Sequence, residues 1–253
     1  MKKMLKNFLF KEELKELEDL RKENKRLKKE NKKLKITNSF KDEVISAVSH
    51  EFKNPISIIN GYIETIIHTN LDEKTKMKFL KKIQKNTKRL SELLDRLYLI
   101  TKLENKKLKP KFSVFRVDEC AKNLIESIDE ERIVLKAEKT LIYADKNLFE
   151  IVLQNLISNA LKYSKKEITV KIGSIVEVID KGQGIEEKDI EMIKEKFYRV
   201  AKNDWDNSLG LGLTIVEHIL KLHGTTLQIE SKKGKGSRFY FDITSLKDKV
   251  SQV

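Results

Sequence analysis

The spacing of hydrophobic residues predicts a long helix at the start of the chain. From Leu17 onward, leucines and asparagines recur three and four residues apart, with Asn24, Asn31 and Asn38 at the first heptad position. This heptad pattern is typical of a coiled coil. Asparagine at that position favours helices paired in fixed register at a cost in stability. The pattern therefore predicts a parallel dimer of modest stability, with a single charged helix as the alternative.

The same hydrophobic frame continues into a second helical region. It runs through Ile45, Val48 and Phe52 and places His50 on the outward face. A second periodic stretch covers residues 73–103, and the polar residues 68–75 indicate a turn between the two helices. Two antiparallel helices with one apolar stripe each cannot form a core alone. We therefore expect dimerisation into a four-helix bundle.

After Pro110 the pattern changes to short strands mixed with helices. The runs SVFRVDECAKNLIESI, TLIYAD and KNLFEIVLQNLISNALKYS predict a strand and helix, a short strand, and an apolar helix. The runs ITVKI and IVEVID predict a tight hairpin around Gly173 and Ser174. Helices are predicted for EEKDIEMIKEKFYRV and for GLTIVEHILKLHG, which ends at Gly224, before a terminal hairpin around residues 234–236. This alternation predicts an α/β sandwich.

Composition and charge narrow the class of protein. The 253 residues are 39% hydrophobic and 36% charged, which permits a core and excludes a low-complexity chain. The lone Cys120 cannot form an intrachain disulfide, so we expect a reduced, cytoplasmic compartment. The opening MKKMLKNFLF is too short to span a bilayer, which predicts a soluble chain or the cytoplasmic part of a longer membrane protein.

A net charge of +14 raises the question of an anionic partner. The densest basic run, residues 22–35, interleaves Lys with Glu and Asn and lacks the aromatic residues of a base-stacking surface. We therefore expect a solvated helix surface and no nucleic-acid partner.

Five short motifs carry the candidate chemistry. In chain order they are SHEFKNP (49–55), NLISNALKYS (155–164), DKGQG (180–184), EKFYR (195–199) and GLGLTIV (210–216). Each alone is weak evidence. In this order and at this spacing they resemble the phosphoacceptor, asparagine, glycine and phenylalanine boxes of the sensor histidine kinases of two-component signalling, and the resemblance covers about residues 40–243.

The resemblance implies a domain organisation and an activity. It implies a coiled-coil signalling helix (1–39), a dimerisation and histidine phosphotransfer domain (40–108), a Bergerat-type ATP-binding domain (109–246) and a tail (247–253). Such a protein is a homodimer that phosphorylates itself from ATP. It then transfers the phosphoryl group to an aspartate of a response regulator, its partner protein.

His50 is the candidate nucleophile. A neutral, exposed imidazole is nucleophilic near pH 7, and Glu51 is placed to orient the ring or accept its other proton. Asn54 follows one helical turn later and is suited to position a water. The resemblance implies that Asn54 supports phosphatase activity toward the response regulator. The alternative is an ordinary polar residue before Pro55, which disfavours helical geometry at Asn54.

Asn155, Asn159 and Lys162 recur along one stripe of an otherwise apolar helix. The alternative to a binding site there is a partly exposed polar edge. The resemblance implies that Asn159 holds Mg²⁺ against the nucleotide phosphates with help from Asn155. It implies that Lys162 and Tyr163 contact the phosphates or the adenosine.

The glycine motifs supply the remaining candidates. Asp180 ends a strand beside Gly182 and Gly184, where backbone can approach a ligand closely. The resemblance implies that this carboxylate binds the adenine amine. Gly210 and Gly212 open the last long helix, whose free amides are suited to phosphate. The predicted nucleotide site also includes Phe197, Leu211 and Leu213.

Two other functions are compatible with parts of the sequence. An ATPase of the gyrase, Hsp90 and MutL group would share Asn159, Asp180 and the glycine loops, but it would not need the SHEFKNP motif. A non-catalytic coiled-coil protein would instead bind nucleic acid or a membrane through the basic run at residues 22–35.

Overall fold

The computed structural model describes residues 20, 22–28, 45–46, 48–198 and 209–252. The chain divides into two units after His50. All described residues of the first unit are helical, and Leu20 and Leu27 of the predicted heptads are exposed. The rest of the predicted coiled coil lies outside the described residues.

The second unit begins with two helices, α1 (residues 48–68, of which 51–68 belong to this unit) and α2 (Glu73–Glu104). Residues 69–72 join them, as predicted, and Asp72 caps α2 by accepting a hydrogen bond from the Thr75 amide at 2.9 Å. Asn54 and Pro55 both lie within α1, so the expected disturbance of helical geometry at Asn54 is wrong. None of the described helices has the length and apolar character needed to cross a membrane.

The remainder of the second unit is an α/β fold of short strands and helices. Its strands are β1 (Ser113–Arg116), β2 (Ile133–Ala137), β3 (Leu141–Ala144), β4 (Ile168–Ile172), β5 (Ile175–Asp180), β6 (Gln228–Lys232) and β7 (Gly236–Asp242). Its helices are α3 (Val117–Ile128), α4 (Lys146–Tyr163), α5 (Gly212–His223) and α6 (Thr244–Asp248), with 3-10 turns at Glu187–Asp189, Met192–Lys194 and Lys249–Gln252.

The strands form a mixed five-stranded sheet and a separate pair. The sheet order is β2-β4-β5-β7-β6, in which β2 and β4 are parallel and the other neighbours are antiparallel. Strands β1 and β3 pair antiparallel on their own. The β4–β5 and β6–β7 hairpins are those predicted from the sequence, with Ile172 opposite Val176 and Lys232 opposite Gly236.

Helix α4 supplies the centre of the core. Its N-terminus is fixed by Asp145, whose carboxylate accepts a hydrogen bond from the Leu148 amide at 3.1 Å. The helix packs against α3, α5, β4 and β5. Phe149 meets Phe241 of β7 edge to face, with ring centroids 5.8 Å apart. This layer of helices on the sheet confirms the predicted α/β sandwich.

Two elements differ from the sequence prediction. Strand β2 was not predicted, because its pairing with β4 is parallel and comes from a distant part of the chain. Of the helix predicted for residues 186–200, the described part, residues 186–198, contains two 3-10 turns instead. Two side-chain hydrogen bonds hold this segment: within it Tyr198 donates to Asp189 at 2.7 Å, and from α5 Thr214 donates to the Lys194 carbonyl at 3.0 Å. Tertiary contacts therefore override the local periodicity.

A buried histidine fixes the entry to α4. His223 is 2% exposed; its Nε2 accepts from the Asp145 amide at 3.0 Å, and its Nδ1 lies 2.8 Å from the Ile219 carbonyl. Burial lowers the pKa of His223. Asp145 also accepts a hydrogen bond from the Lys111 amide at 2.6 Å, so the segment after Pro110 is tied to the same point.

The depressed pKa of His223 predicts a pH-dependent stability. The unfolded state binds the proton more readily, so the contribution is complete above an unfolded pKa of about 6.5 and is lost as the pH falls through the lower folded value. His223→Phe leaves the Asp145 amide without its acceptor, and we expect it to lower the free energy of unfolding by about 1–3 kcal/mol at pH 7.5.

Urea unfolding at pH 7.5 and 5.5 measures this effect. Wild type should lose more stability on acidification than His223→Phe, and His68→Gln, which changes an exposed histidine, should behave as wild type. Equal pH dependence in wild type and His223→Phe would contradict the assignment.

Candidate functional site

A cavity of about 180 Å³ lies in the second unit, large enough for a ligand rather than a single water. Its walls come from α4, the end of β5 and the loop after it, the segment of Ile193 and Tyr198, the N-terminus of α5, β7 and one residue of α2. The lining residues are Arg96, Asn155, Ser158, Asn159, Lys162, Tyr163, Asp180, Gln183, Gly184, Ile185, Ile193, Tyr198, Leu209, Gly210, Leu211, Gly212, Leu213, Ser237 and Phe239.

The polar stripe of α4 forms one wall. Asn155, Asn159 and Lys162 all line the cavity, so the predicted common face is confirmed. Asn155 donates its side-chain amide to the Ile151 carbonyl at 2.7 Å. This bond leaves the Asn155 Oδ1 on the side of α5, where a Cβ added to Gly212 would lie 3.0 Å from it. A side-chain oxygen is thereby held next to the start of α5.

Asp180 is a carboxylate buried in the cavity wall. It is 5% exposed, and among the described residues it has no ion pair. Burial raises the pKa of Asp180, and hydrogen bonds from Gly182 and Ser237 oppose that rise; the Gly182 amide donates at 2.8 Å. A buried acceptor with no cationic partner is costly. The wall is therefore suited to a ligand that donates a hydrogen bond.

The N-terminus of α5 opens onto the same cavity without a side-chain cap. Asp72 and Asp145 cap α2 and α4, whereas Leu211, at the cap position of α5, offers no side-chain acceptor. Gly210, Leu211, Gly212 and Leu213 all line the cavity. The first amides of a helix carry partial positive charge, so this end of the cavity favours an anion.

Close backbone contacts hold the glycine loops in place. Gly184 has a φ of +64°, and a Cβ there would lie 2.0 Å from the Lys232 carbonyl oxygen. A Cβ on Gly182 would lie 2.2 Å from the Tyr163 carbonyl oxygen. Gly182 does not line the cavity, so its position serves the packing of the loop against α4.

The segments on either side of residues 199–208 are bonded to each other. The Phe197 amide donates to the Gly210 carbonyl at 3.2 Å, and Phe197 has a φ of +62°. Phe197 itself does not line the cavity, whereas the next residue, Tyr198, does. In the phenylalanine motif, Tyr198 therefore forms part of the cavity wall, and the backbone of Phe197 bonds to the residue that precedes α5 by two positions.

The predicted residues of the phosphoacceptor motif do not line this cavity. His50 is exposed and belongs to the first unit. Asn54 is exposed on α1. Glu51 is 7% exposed and forms an ion pair with Arg89 of α2 at 3.4 Å.

Several lining residues were not predicted. Ser158 follows Asn155 by three residues and so lies on the same helical face, which means that the helical period could have predicted it. Tyr198 lies inside a motif already singled out. Ser237 and Phe239 reach the cavity because β7 pairs with β5, which places Ser237 opposite Asp180. Arg96 comes from α2, and no local pattern indicates that contact.

Comparison with known proteins identifies the class. Residues 144–247 match the family of histidine kinase-, DNA gyrase B- and HSP90-like ATPases, and residues 40–106 match the His Kinase A phosphoacceptor domain. The chain is 27% identical over 217 residues to the phosphate regulon sensor protein PhoR of Haemophilus influenzae, covering 80% of this chain and 51% of that protein. It thus spans about half of that relative.

Two solved structures have the same fold. The histidine kinase AdeS of Acinetobacter baumannii matches with a TM-score of 0.61 and 25% identity, over 77% of this chain and 96% of that one. The histidine kinase ThkA, in complex with the response regulator protein TrrA, matches with a TM-score of 0.58 and 27% identity, over 79% and 60% of the two chains. With both family matches in this order, the chain belongs to the sensor histidine kinases of two-component signal transduction.

The glycine contacts predict a difference between two alanine variants. Gly184 and Gly224 both have positive φ, which costs a residue with a Cβ about 1–2 kcal/mol. A Cβ at Gly224 meets nothing within 4 Å, whereas at Gly184 it meets backbone. Gly184→Ala should therefore lower the free energy of unfolding more than Gly224→Ala, and it alone should weaken binding of a fluorescent ATP analogue. Equal effects of the two variants would contradict this account of Gly184.

Proposed function

We propose that the chain is an ATP-dependent protein histidine kinase that phosphorylates His50 and passes the phosphoryl group to an aspartate of a response regulator. The observation that carries the nucleotide part is the pairing of two features in one cavity. Asp180 offers a buried hydrogen-bond acceptor, and the uncapped N-terminus of α5 offers amides to an anion. An adenine nucleotide has a donor amine at one end and phosphates at the other, so it is complementary to both.

The α4 side chains fit a nucleotide that carries a divalent cation. The Asn155 oxygen is held beside the start of α5, and Asn159 lines the same wall. Oxygen ligands and retained waters are what Mg²⁺ prefers, so Asn159, with Asn155, would hold the ion. The ion would supply charge neutralisation at the phosphates. Lys162 and Tyr163 would contact the phosphates or the adenosine from the next turn.

His50 would carry out the group transfer. Its neutral imidazole nitrogen would attack the γ-phosphorus, forming a P–N bond as the bond from that phosphorus to the bridging oxygen breaks and ADP leaves. The proton on the other ring nitrogen would pass to a base, for which Glu51 is the candidate. Positioning and charge stabilisation supply most of the catalysis in phosphoryl transfer. The exposure of His50 supports access of both nucleotide and regulator.

The phosphoacceptor family match supports this proposal over the two alternatives. An ATPase without phosphotransfer would use the same cavity but would not need the phosphoacceptor domain at residues 40–106. The charged helix at residues 22–35 supplies a basic surface but no catalytic group. We propose that the domain at residues 40–108 dimerises into a four-helix bundle, because many large apolar side chains of α1 and α2 are exposed in the single chain, including Ile56, Ile63, Ile67, Leu80 and Leu94.

Asn54 supports a further phosphatase activity toward the phosphorylated regulator. Its amide is exposed on α1, one turn beyond the position of His50 in the sequence. There it would orient a water for attack on the regulator's acyl phosphate, with the regulator's aspartate as the leaving group.

Incubation of the purified chain with γ-labelled ATP and Mg²⁺ tests the kinase reaction. Wild type should retain acid-labile, alkali-stable label, as a phosphohistidine does. His50→Gln should lose it because the nucleophile is gone, and Asn159→Ala should lose at least tenfold of the rate because the metal ligand is gone. His68→Gln, another exposed histidine, is the control and should be labelled as wild type. Release of phosphate without retained label would favour the ATPase, and absence of ATP binding would favour the non-catalytic protein.

Dephosphorylation of a phosphorylated response regulator tests the role of Asn54. Asn54→Ala should slow the loss of phosphate from the regulator about tenfold or more, since the water would no longer be positioned. Asn60→Ala removes a second exposed amide from the same helix and should match wild type. The same rate in both variants would remove Asn54 from the mechanism.

A further inference from the structure

One cation of the nucleotide cavity comes from outside the α/β fold. Arg96 belongs to α2, and it lines the cavity together with Asn155, Asn159 and the start of α5. Among the lining residues the cationic side chains are Arg96 and Lys162, and the carboxylate is Asp180. One lysine and one helix N-terminus do not neutralise the negative charge of a nucleoside triphosphate. A second cation at this wall would therefore have a phosphate to bind.

Arg96 has no hydrogen bond or ion pair to any described residue. Its neighbours on α2 differ: Arg89 pairs with Glu51, and Lys102 lies over the ring of Tyr98. Arginine presents a planar fork of donors that matches phosphate oxygens in a bidentate manner. An exposed guanidinium at the edge of the cavity is therefore available to a phosphate.

Packing places α2 beside the cavity. The helix contacts α5, and its buried side chains Ile100 and Leu103 lie one and two turns beyond Arg96. Near its end, Glu104 pairs with Lys196, which adjoins the junction between Phe197 and Gly210. Along α2, Arg96 is thus followed by two buried apolar residues and by an ion pair to the segment before Phe197, and it lines the cavity with the start of α5.

We propose that Arg96 binds the terminal phosphate of ATP and so completes the nucleotide site from α2. This inference rests on the proposed ATP site. It is supported by the difference in burial between the two ends of the cavity. Asp180, proposed to bind adenine, is 5% exposed, whereas Arg96 is exposed. With its base at Asp180, a nucleotide would place its phosphates at the N-terminus of α5, and Arg96 lines the cavity together with that N-terminus.

Binding of MgATP and MgADP to the full chain, measured by calorimetry, tests this role. Arg96→Gln should weaken MgATP about tenfold and MgADP no more than about twofold, because ADP lacks the terminal phosphate. Arg96→Lys should recover part of the MgATP affinity, since it keeps the charge and loses the fork. Lys88→Gln removes an exposed cation of the same helix that does not line the cavity, and it should match wild type.

The possible outcomes separate the inference from the proposed function. Equal weakening of ATP and ADP by Arg96→Gln would indicate a disturbed α2 contact and overturn the terminal-phosphate assignment. Unchanged binding of both would overturn the inference while leaving the ATP site intact. Wild type that binds neither nucleotide would overturn both. Thermal melting without nucleotide should be the same in all variants, because Arg96 is exposed and unpaired among the described residues.

Discussion

The two faces of α4 are the constraint on which the core and the site both depend. One face buries Phe149, Val152 and Leu156 against the sheet, and the other presents Asn155 and Asn159 to the cavity. A helix repeats every 3.6 residues, so one register fixes both sets. The capping bond from Asp145 and its contact with His223 fix where that register begins. Disturbing this entry would therefore affect the core and the nucleotide wall together.

A second constraint is the unfavourable free energy of burying the Asp180 carboxylate. Asp180 is buried with no cation paired to it in the described part of the chain, which lowers the stability of the free protein, and the hydrogen bonds from Gly182 and Ser237 offset only part of that cost. Close backbone approach at Gly182 and Gly184 holds the loop so that the acceptor stays in the wall. A ligand that donates to Asp180 recovers some of the desolvation cost. The fold thus keeps a polar site ready at the expense of its own stability.

Local periodicity was sufficient to predict most of the fold, and the motifs that resemble those of histidine kinases supplied about half of the site residues. The hairpins, α2, α4 and α5 follow from patterns within one segment, and so do Asn155 and Asp180. Strand β2 and the cavity residue Ser237 depend on pairing between distant segments, which periodicity does not contain. The 3-10 turns before Tyr198 show the opposite case, in which a helical pattern was present and side-chain hydrogen bonds, one of them from α5, overrode it.

The proposed role of Arg96 links nucleotide binding to the contact between α2 and α5. If the terminal phosphate bonds to a residue of α2, nucleotide affinity becomes a property of how α2 contacts α5 and not of the α/β fold alone. Coupling of this kind is reciprocal, so bound ATP would stabilise the same contact that improves its own binding. ADP, lacking the phosphate that reaches Arg96, would stabilise that contact less. Phosphoryl transfer would then weaken the link between α2 and the nucleotide site at the moment when the phosphate leaves it.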